Sequence, residues 1–135
     1  MKARHLTVLF VLLSTAVAHT QLTDDFADGD FTADPAWLGD TARFTVTAGE
    51  LQLQHQDPES NNESLLYTAA ATSADAATTW SFYIRTAFSP SSSNFGRVYL
   101  AASTPDLTGS VNGYYVRIGG ISGSDDAVEL YRQDG

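Results

Sequence analysis

Apolar and polar residues alternate with a period of two in several short stretches of the chain, whereas no long stretch shows the period of about 3.6 residues that marks an amphipathic helix. A period of two puts successive side chains on opposite faces of an extended strand. The alternation predicts strands at residues 44–46, 51–53, 65–67, 79–88, 95–102, 114–118 and 128–131.

The segments between these stretches are rich in Gly, Pro and Asn, and Gly49 marks a hairpin turn between the first two strands. Strands of this length at this spacing are typical of antiparallel sandwiches and barrels. The sequence therefore predicts an all-β domain over residues 21–135, folded as an antiparallel two-sheet β-sandwich or jelly roll.

The segment 79–88 has the clearest alternation. Trp80, Phe82 and Ile84 fall on one face, and Tyr83 and Arg85 fall on the other. This pattern predicts a strand whose apolar face, including Trp80, lies in the core.

The first twenty residues have the order of a secretory signal peptide. Lys2 and Arg4 precede an apolar run at 6–13, and a small-residue cleavage motif ends at Ala18. The run is well short of the ~18 residues that a membrane-spanning helix needs. We expect a signal-peptide helix at 1–20, cleavage near Ala18 or Thr20, no transmembrane segment, and a secreted or cell-surface location. The alternative is a buried or amphipathic first helix.

Charge and cysteine content narrow the function classes. The chain has 7 Lys and Arg against 16 Asp and Glu, and residues 1–20 contain two of the cations and none of the acids, which leaves a mature formal charge of about −11. Such a chain repels phosphate backbones and anionic lipid surfaces, which disfavours nucleic-acid and membrane-surface partners. The absence of cysteine excludes disulfides and a lipidated cysteine.

The end of the sequence suggests an unfinished hairpin. Asp134-Gly135 follows the last predicted strand and is a common opening for a tight turn. We therefore expect that the domain is truncated at this point and that its next strand lies in a longer protein. A frayed natural end is the alternative.

Several motifs resemble the N-terminal domain of large bacterial surface proteins that carry lamin-tail domains and a type IX secretion sorting domain downstream. The motifs are residues 80–85 (WSFYIR), 88–94 (FSPSSSN), 98–100 (VYL), 113–119 (GYYVRIG), 125–126 (DD) and 130–132 (LYR), with 24–31 and 37–40 near the start. The resemblance covers nearly all of the mature chain. It implies a concanavalin A-like, laminin-G-like jelly roll, and implies fold and location more than an activity.

Three of the predicted strands each carry a tyrosine and an arginine two residues apart, hence on one face. The pairs are Tyr83 with Arg85, Arg97 with Tyr99, and Tyr115 with Arg117. On neighbouring strands they would form a platform that stacks on sugar rings and donates hydrogen bonds, so a glycan or other cell-surface ligand is the expected partner. Trp37, in a predicted loop, is a further ligand-binding candidate. Alternatively, the tyrosines pack beneath a sheet or loop and the arginines pair with acids.

Two acidic segments suggest a structural Ca²⁺, although the sequence identifies no definite cofactor. Closely spaced carboxylates are the ligands that Ca²⁺ prefers. Those considered as metal ligands are Asp24, Asp25, Asp28, Asp30, Asp125 and Asp126. The spacing does not match an EF-hand loop, and the alternative is that these acids only solvate their loops.

Catalytic motifs are weakly represented. The four glutamates lack the spacing of a glycosidase motif, and no G-x-S-x-G elbow occurs. The sequence thus favours a non-catalytic extracellular recognition or adhesion module at the N-terminus of a larger protein. The alternatives are a structural spacer, or an accessory domain of an enzyme whose catalytic part lies downstream.

Overall fold

The computed structural model describes residues 21–54, 63–70, 77–120 and 127–135. The predicted signal peptide at 1–20 and the candidate metal ligands Asp125 and Asp126 lie outside the described residues. Within them, the regular structure is antiparallel β apart from one short 3-10 helix at Thr41–Arg43. The all-β prediction is confirmed at this level. None of the helices in this part of the chain has the length and apolar character needed to cross a membrane.

Two short ladders occupy the first half of the chain. Strand β1 (Leu38–Gly39) pairs with β4 (Leu66–Tyr67), and β2 (Phe44–Thr47) pairs with β3 (Glu50–Leu53). The β2–β3 hairpin turns through Ala48 and Gly49, which both have positive φ, as a two-residue type I′ turn requires. The predicted hairpin and its glycine turn are confirmed.

The second half forms a three-stranded sheet in the order β5-β6-β7. Its strands are β5 (Phe95–Ala102), β6 (Asn112–Gly119) and β7 (Val128–Asp134). The register shifts between Tyr99 and Ala101, so that Leu100 is the extra residue of a bulge and Ala101 lies opposite Tyr114. A regular strand would place Ala101 on the same face as Tyr99. The bulge places it on the opposite face.

The prediction of a strand at 79–88 is wrong for the described structure, since this segment has no ladder partner. Trp80 and Phe82 are exposed, so the prediction of a core face that includes Trp80 is also wrong. Alternation defines the two faces of an extended segment, but a strand also needs a neighbouring backbone in register. The Ile84 side chain of this segment lies close to β5. Its Cδ1 would be 3.6 Å from a Cβ added to Gly96.

Burial is slight among the described residues. Val111 is fully buried and Phe31 nearly so, and they are the buried hydrophobic side chains of this part of the chain. Val128 and Leu130 on one face of β7 are exposed. The antiparallel ladders are separate sheets here, so the strands do not by themselves confirm a two-sheet sandwich.

Candidate functional site

One face of the β5–β6–β7 sheet brings together four of the residues predicted to bind a ligand. Arg97 lies opposite Arg117, and Tyr99 lies opposite Tyr115. The third strand adds Glu129 beside Arg117 and Tyr131 beside Tyr115. We call this set of six side chains the tyrosine face: Arg97, Tyr99, Tyr115, Arg117, Glu129 and Tyr131.

Three tyrosine rings cross this face in a row. The Tyr99 and Tyr115 ring centroids are 5.0 Å apart, and those of Tyr115 and Tyr131 are 5.1 Å apart with the rings nearly parallel at 8°. The Tyr99 ring is tilted by 38° against Tyr115, whereas the Tyr131 ring stacks on one flat side of Tyr115. That side of Tyr115 is therefore not free to stack on a sugar ring, as the predicted platform required.

The outer tyrosines are held by hydrogen bonds along β7. The Tyr99 hydroxyl donates to Gln133 Oε1 at 2.9 Å, and the Tyr131 hydroxyl donates to Glu129 Oε2 at 3.1 Å. All three rings of the row are half-buried. The row is thus positioned before any ligand arrives, which lowers the entropy cost of ligand binding.

Arg117 is committed to a local ion pair. Its Nη2 lies 2.7 Å from Glu129 Oε2 and also donates to the Tyr131 hydroxyl. The guanidinium carbon lies 4.6 Å from the centre of the Tyr131 ring. A Cβ on Gly120 would lie 2.8 Å from Arg117 Nε, so glycine at position 120 makes room for this side chain.

The contacts of this cluster shift the pKa values of Glu129, Arg117 and Tyr131. The hydrogen bond from Arg117, followed by that from Tyr131, lowers the pKa of Glu129 below its ordinary 4.5. The same hydrogen bond with Glu129 raises the pKa of Arg117. Desolvation, followed by the hydrogen bond to Glu129, raises the pKa of Tyr131. All three shifts favour one protonation state of the cluster at neutral pH, with Glu129 and Arg117 charged and Tyr131 neutral.

We expect Glu129→Gln to destabilise the sheet near neutral pH and to matter less in acid. Because the folded-state pKa of Glu129 is lowered, its contribution is fully present above the unfolded pKa near 4.5 and is lost as pH falls through the folded value. Urea unfolding of both proteins at pH 7 and pH 3 checks this. A stability difference that stays constant or grows on acidification would contradict the prediction.

Arg97 has looser partners than Arg117. Its Nη2 is 3.7 Å from Glu63 Oε1, which is longer than a hydrogen bond. Its guanidinium carbon lies 5.1 Å from the ring centre of Phe95 and 5.7 Å from that of Tyr115. Arg97 therefore lies over the Phe95 and Tyr115 rings. Glu63 uses little of the hydrogen-bonding capacity of Arg97.

Tyr83 and Arg85, which were predicted to belong to the same platform, lie on the unpaired segment instead. Arg85 Nη2 forms an ion pair with Glu50 Oε2 of β3 at 2.6 Å, and Tyr83 is 81% exposed. The ion pair links the segment to β3. The structure thus does not bring this third Tyr/Arg pair into the tyrosine face.

Trp37 has a structural environment. Its Nε1 donates to Asp24 Oδ2 at 2.7 Å, and its ring centroid is 6.1 Å from that of Phe26. The side chain is half-buried, and its one hydrogen-bond donor is satisfied. Trp37 therefore stabilises the first loop and is not part of the tyrosine face.

The acidic residues of the first loop are occupied by nearby hydrogen-bond donors. Asp25 and Asp28 each accept from the backbone N–H two residues ahead, and Asp24 accepts from Phe26 as well as Trp37. Asp30 accepts from the backbone and hydroxyl of Thr32, and the backbone bond is the largest cause that lowers its pKa.

In the described ranges, no three His, Cys, Asp or Glu residues are grouped so as to hold a metal ion. Asp125 and Asp126 lie outside those ranges. Ca²⁺ binding therefore stays a sequence prediction, and the loop carboxylates have an alternative role as caps for their own backbone.

Glu129 and Tyr131 are the members of the face that sequence reasoning missed. Their alternation along the last strand was visible, but only the pairing of β7 with β6 shows that they join the others. Comparison of the chain with protein-family models, with curated proteins and with solved structures gave no match.

Proposed function

We propose that this chain is a non-catalytic recognition module that binds glycans through the tyrosine face of the β5–β6–β7 sheet. The observation that carries the proposal is the pre-positioned row of Tyr99, Tyr115 and Tyr131 with guanidinium groups beside it. Phenol hydroxyls donate and accept hydrogen bonds, and guanidinium groups donate them, which suits the many hydroxyls of a sugar.

The ring edges favour contact along the rim of a sugar rather than stacking on its flat side. The Tyr99 hydroxyl is oriented by its bond to Gln133 and keeps a lone pair that accepts a bond from a ligand hydroxyl, whereas the Tyr131 hydroxyl is bonded to both Glu129 and Arg117. Ordered polar groups on a rigid sheet bind with less entropy loss than groups on a loop. These features together support shallow binding of a polysaccharide chain across the strands.

We propose further that the three ladders are parts of a two-sheet jelly roll, exported by the signal peptide and displayed on a larger surface protein. The exposed apolar side chains of Val128 and Leu130 support the sandwich, because a sandwich sheet buries one face against a second sheet. The resemblance to bacterial surface proteins supports the location. Export of a reporter protein by residues 1–20 tests the signal peptide directly.

A structural spacer is the second proposed function, and one observation favours it. The rings of the tyrosine row cover each other, and Arg117 is paired with Glu129, as packing without a ligand would also require. A spacer needs a stable sheet but no open polar groups. Binding data separate the two functions.

A glycan array probed with the whole chain and a matched pair of variants tests the recognition proposal. Tyr99→Phe/Tyr115→Phe keeps both rings but removes two hydroxyls, and we expect roughly tenfold weaker binding from losing about two neutral hydrogen bonds. Tyr83→Ala is the control, since Tyr83 is exposed outside the face, and we expect no change.

Circular dichroism verifies that both variants remain folded. Binding that survives the double substitution, or that is lost with Tyr83→Ala, would contradict the tyrosine face as the site. Absence of binding to any glycan on the array would favour the spacer.

A further inference from the structure

We propose that Arg97 is the specificity-determining residue of the tyrosine face and selects sugars that carry a carboxylate, that is, uronic-acid units. The inference rests on the proposed glycan-binding function and adds a substrate class to it. It starts from the different situations of the two arginines, which lie opposite each other on β5 and β6.

The guanidinium groups of Arg97 and Arg117 differ in how many of their hydrogen-bond donors are already used. Arg117 contacts Glu129 through both Nε, at 3.3 Å, and Nη2, at 2.7 Å, and it has 22% of its side chain exposed. Arg97 meets Glu63 only at ion-pair distance, 3.7 Å, and has 34% of its side chain exposed. Within the part of the chain that the structure describes, open guanidinium donors are therefore found on Arg97 rather than on Arg117.

Glu63 shows which ligand group suits Arg97. The carboxylate that approaches Arg97 in the free protein belongs to a side chain that is 61% exposed, so it can swing away at little cost. A planar carboxylate matches the fork of guanidinium donors and accepts two parallel hydrogen bonds. The carboxylate of a uronic acid would thus take the place that Glu63 occupies loosely.

Neighbouring aromatic rings restrain the Arg97 guanidinium in a position where it can bind a carboxylate. Phe95 and Tyr115 both lie within cation–π distance of its guanidinium carbon. A guanidinium restrained over rings loses less rotational freedom when it binds a ligand. The neighbouring Tyr99 and Tyr115 hydroxyls then reach the hydroxyls of the same sugar chain.

Charge limits the ligand to a weakly anionic one. Among the described residues, the charged groups on and beside the face are Arg97, Arg117, Glu63 and Glu129, which balance one another. The whole chain has a formal charge of −9, which repels a densely charged polyanion such as a polyphosphate. A short oligouronate carries a single charge per sugar, and physiological salt screens repulsion beyond about 8 Å.

Calorimetric titration of the whole chain with trigalacturonic acid and with its methyl ester, in about 0.15 M NaCl, tests the proposal. The two probes share one sugar backbone and differ in charge. We expect the acid to bind roughly tenfold tighter than the ester, as a charge-assisted hydrogen-bonded pair provides. Arg97→Ala removes that preference, and Glu63→Gln strengthens acid binding several-fold because it removes the competing carboxylate.

Arg132→Ala is the matched control, because Arg132 pairs with the exposed Asp134 next to it and lies opposite Tyr114, on the other face. We expect this variant to keep the preference for the acid. Equal binding of acid and ester to the natural chain would overturn the carboxylate inference and leave glycan recognition standing. A preference that survives Arg97→Ala would overturn the role of Arg97, and failure of both probes to bind would count against the proposed function itself.

Discussion

Gly113→Ala is expected to destabilise the chain by about 3 kcal/mol, an unusually large loss for the addition of one methyl group. A Cβ at position 113 would overlap the carbonyl oxygen of Ala101 and would lie 3.2 Å from the Cα of Ala102. Both obstacles are backbone atoms of β5 at its bulge, so they move only if the β5–β6 ladder opens. Since β6 is the central strand, β7 would loosen too. Urea unfolding monitored by circular dichroism measures the loss.

Gly96→Ala is the control in the same sheet. The added methyl group would meet the end of the Ile84 side chain at 3.6 Å, an ordinary contact with a flexible group. Replacing glycine in a strand interior normally stabilises by several tenths of a kcal/mol, so we expect a change within about 0.5 kcal/mol of zero or slightly stabilising. Equal losses at positions 96 and 113 would mean that the close approach at the bulge is not the cause.

Tyr115→Ala is expected to cost about 2–3 kcal/mol, because Tyr115 is the middle ring of the tyrosine row. Its removal breaks two ring pairs, each worth about 1 kcal/mol beyond area burial, and exposes the inner sides of Tyr99 and Tyr131. Thermal and urea unfolding measure the change. Tyr115→Phe keeps both ring contacts and should retain most of the stability.

The adjacent residue provides the control for this prediction. Tyr114 points to the opposite face of β6, lies across from Ala101 and Arg132, and is 48% exposed. Tyr114→Ala should therefore cost under about 1 kcal/mol. A larger loss at Tyr114 than at Tyr115 would show that the main packing is on the other face of the sheet.

The sequence predicted the composition of each strand face better than the assembly of strands. The alternation of side chains along a strand placed Arg97 on one face with Tyr99, and Tyr115 on one face with Arg117. The pairing of β5 with β6 brings these two pairs onto the same face of the sheet. The alternation also grouped Tyr83 with Arg85, but it carries no information about which backbone a segment pairs with. That is why the best alternating segment was predicted as a strand but has no ladder partner among the described residues.

Two further features depend on contacts that local sequence does not specify. The bulge after Tyr99 changes the face of Ala101, and no glycine or other turn residue marks it in the sequence. Asp-rich loops are equally ambiguous, because the same carboxylates suit a Ca²⁺ site or backbone caps. In the first loop, hydrogen bonds to Asp24 and Asp30 show the capping role, which only coordinates reveal.

Ligand binding at the tyrosine face can be followed directly, because the chain contains six tyrosines whose signals report on it separately. An NMR titration of ring-labelled tyrosine with the glycan selected on the array tests this directly. We expect the signals of Tyr99, Tyr115 and Tyr131 to shift together and saturate with one affinity, while those of Tyr67, Tyr83 and Tyr114 stay in place. Shifts confined to Tyr83 or Tyr114, with no shift for the three rings of the row, would contradict ligand binding at the tyrosine face.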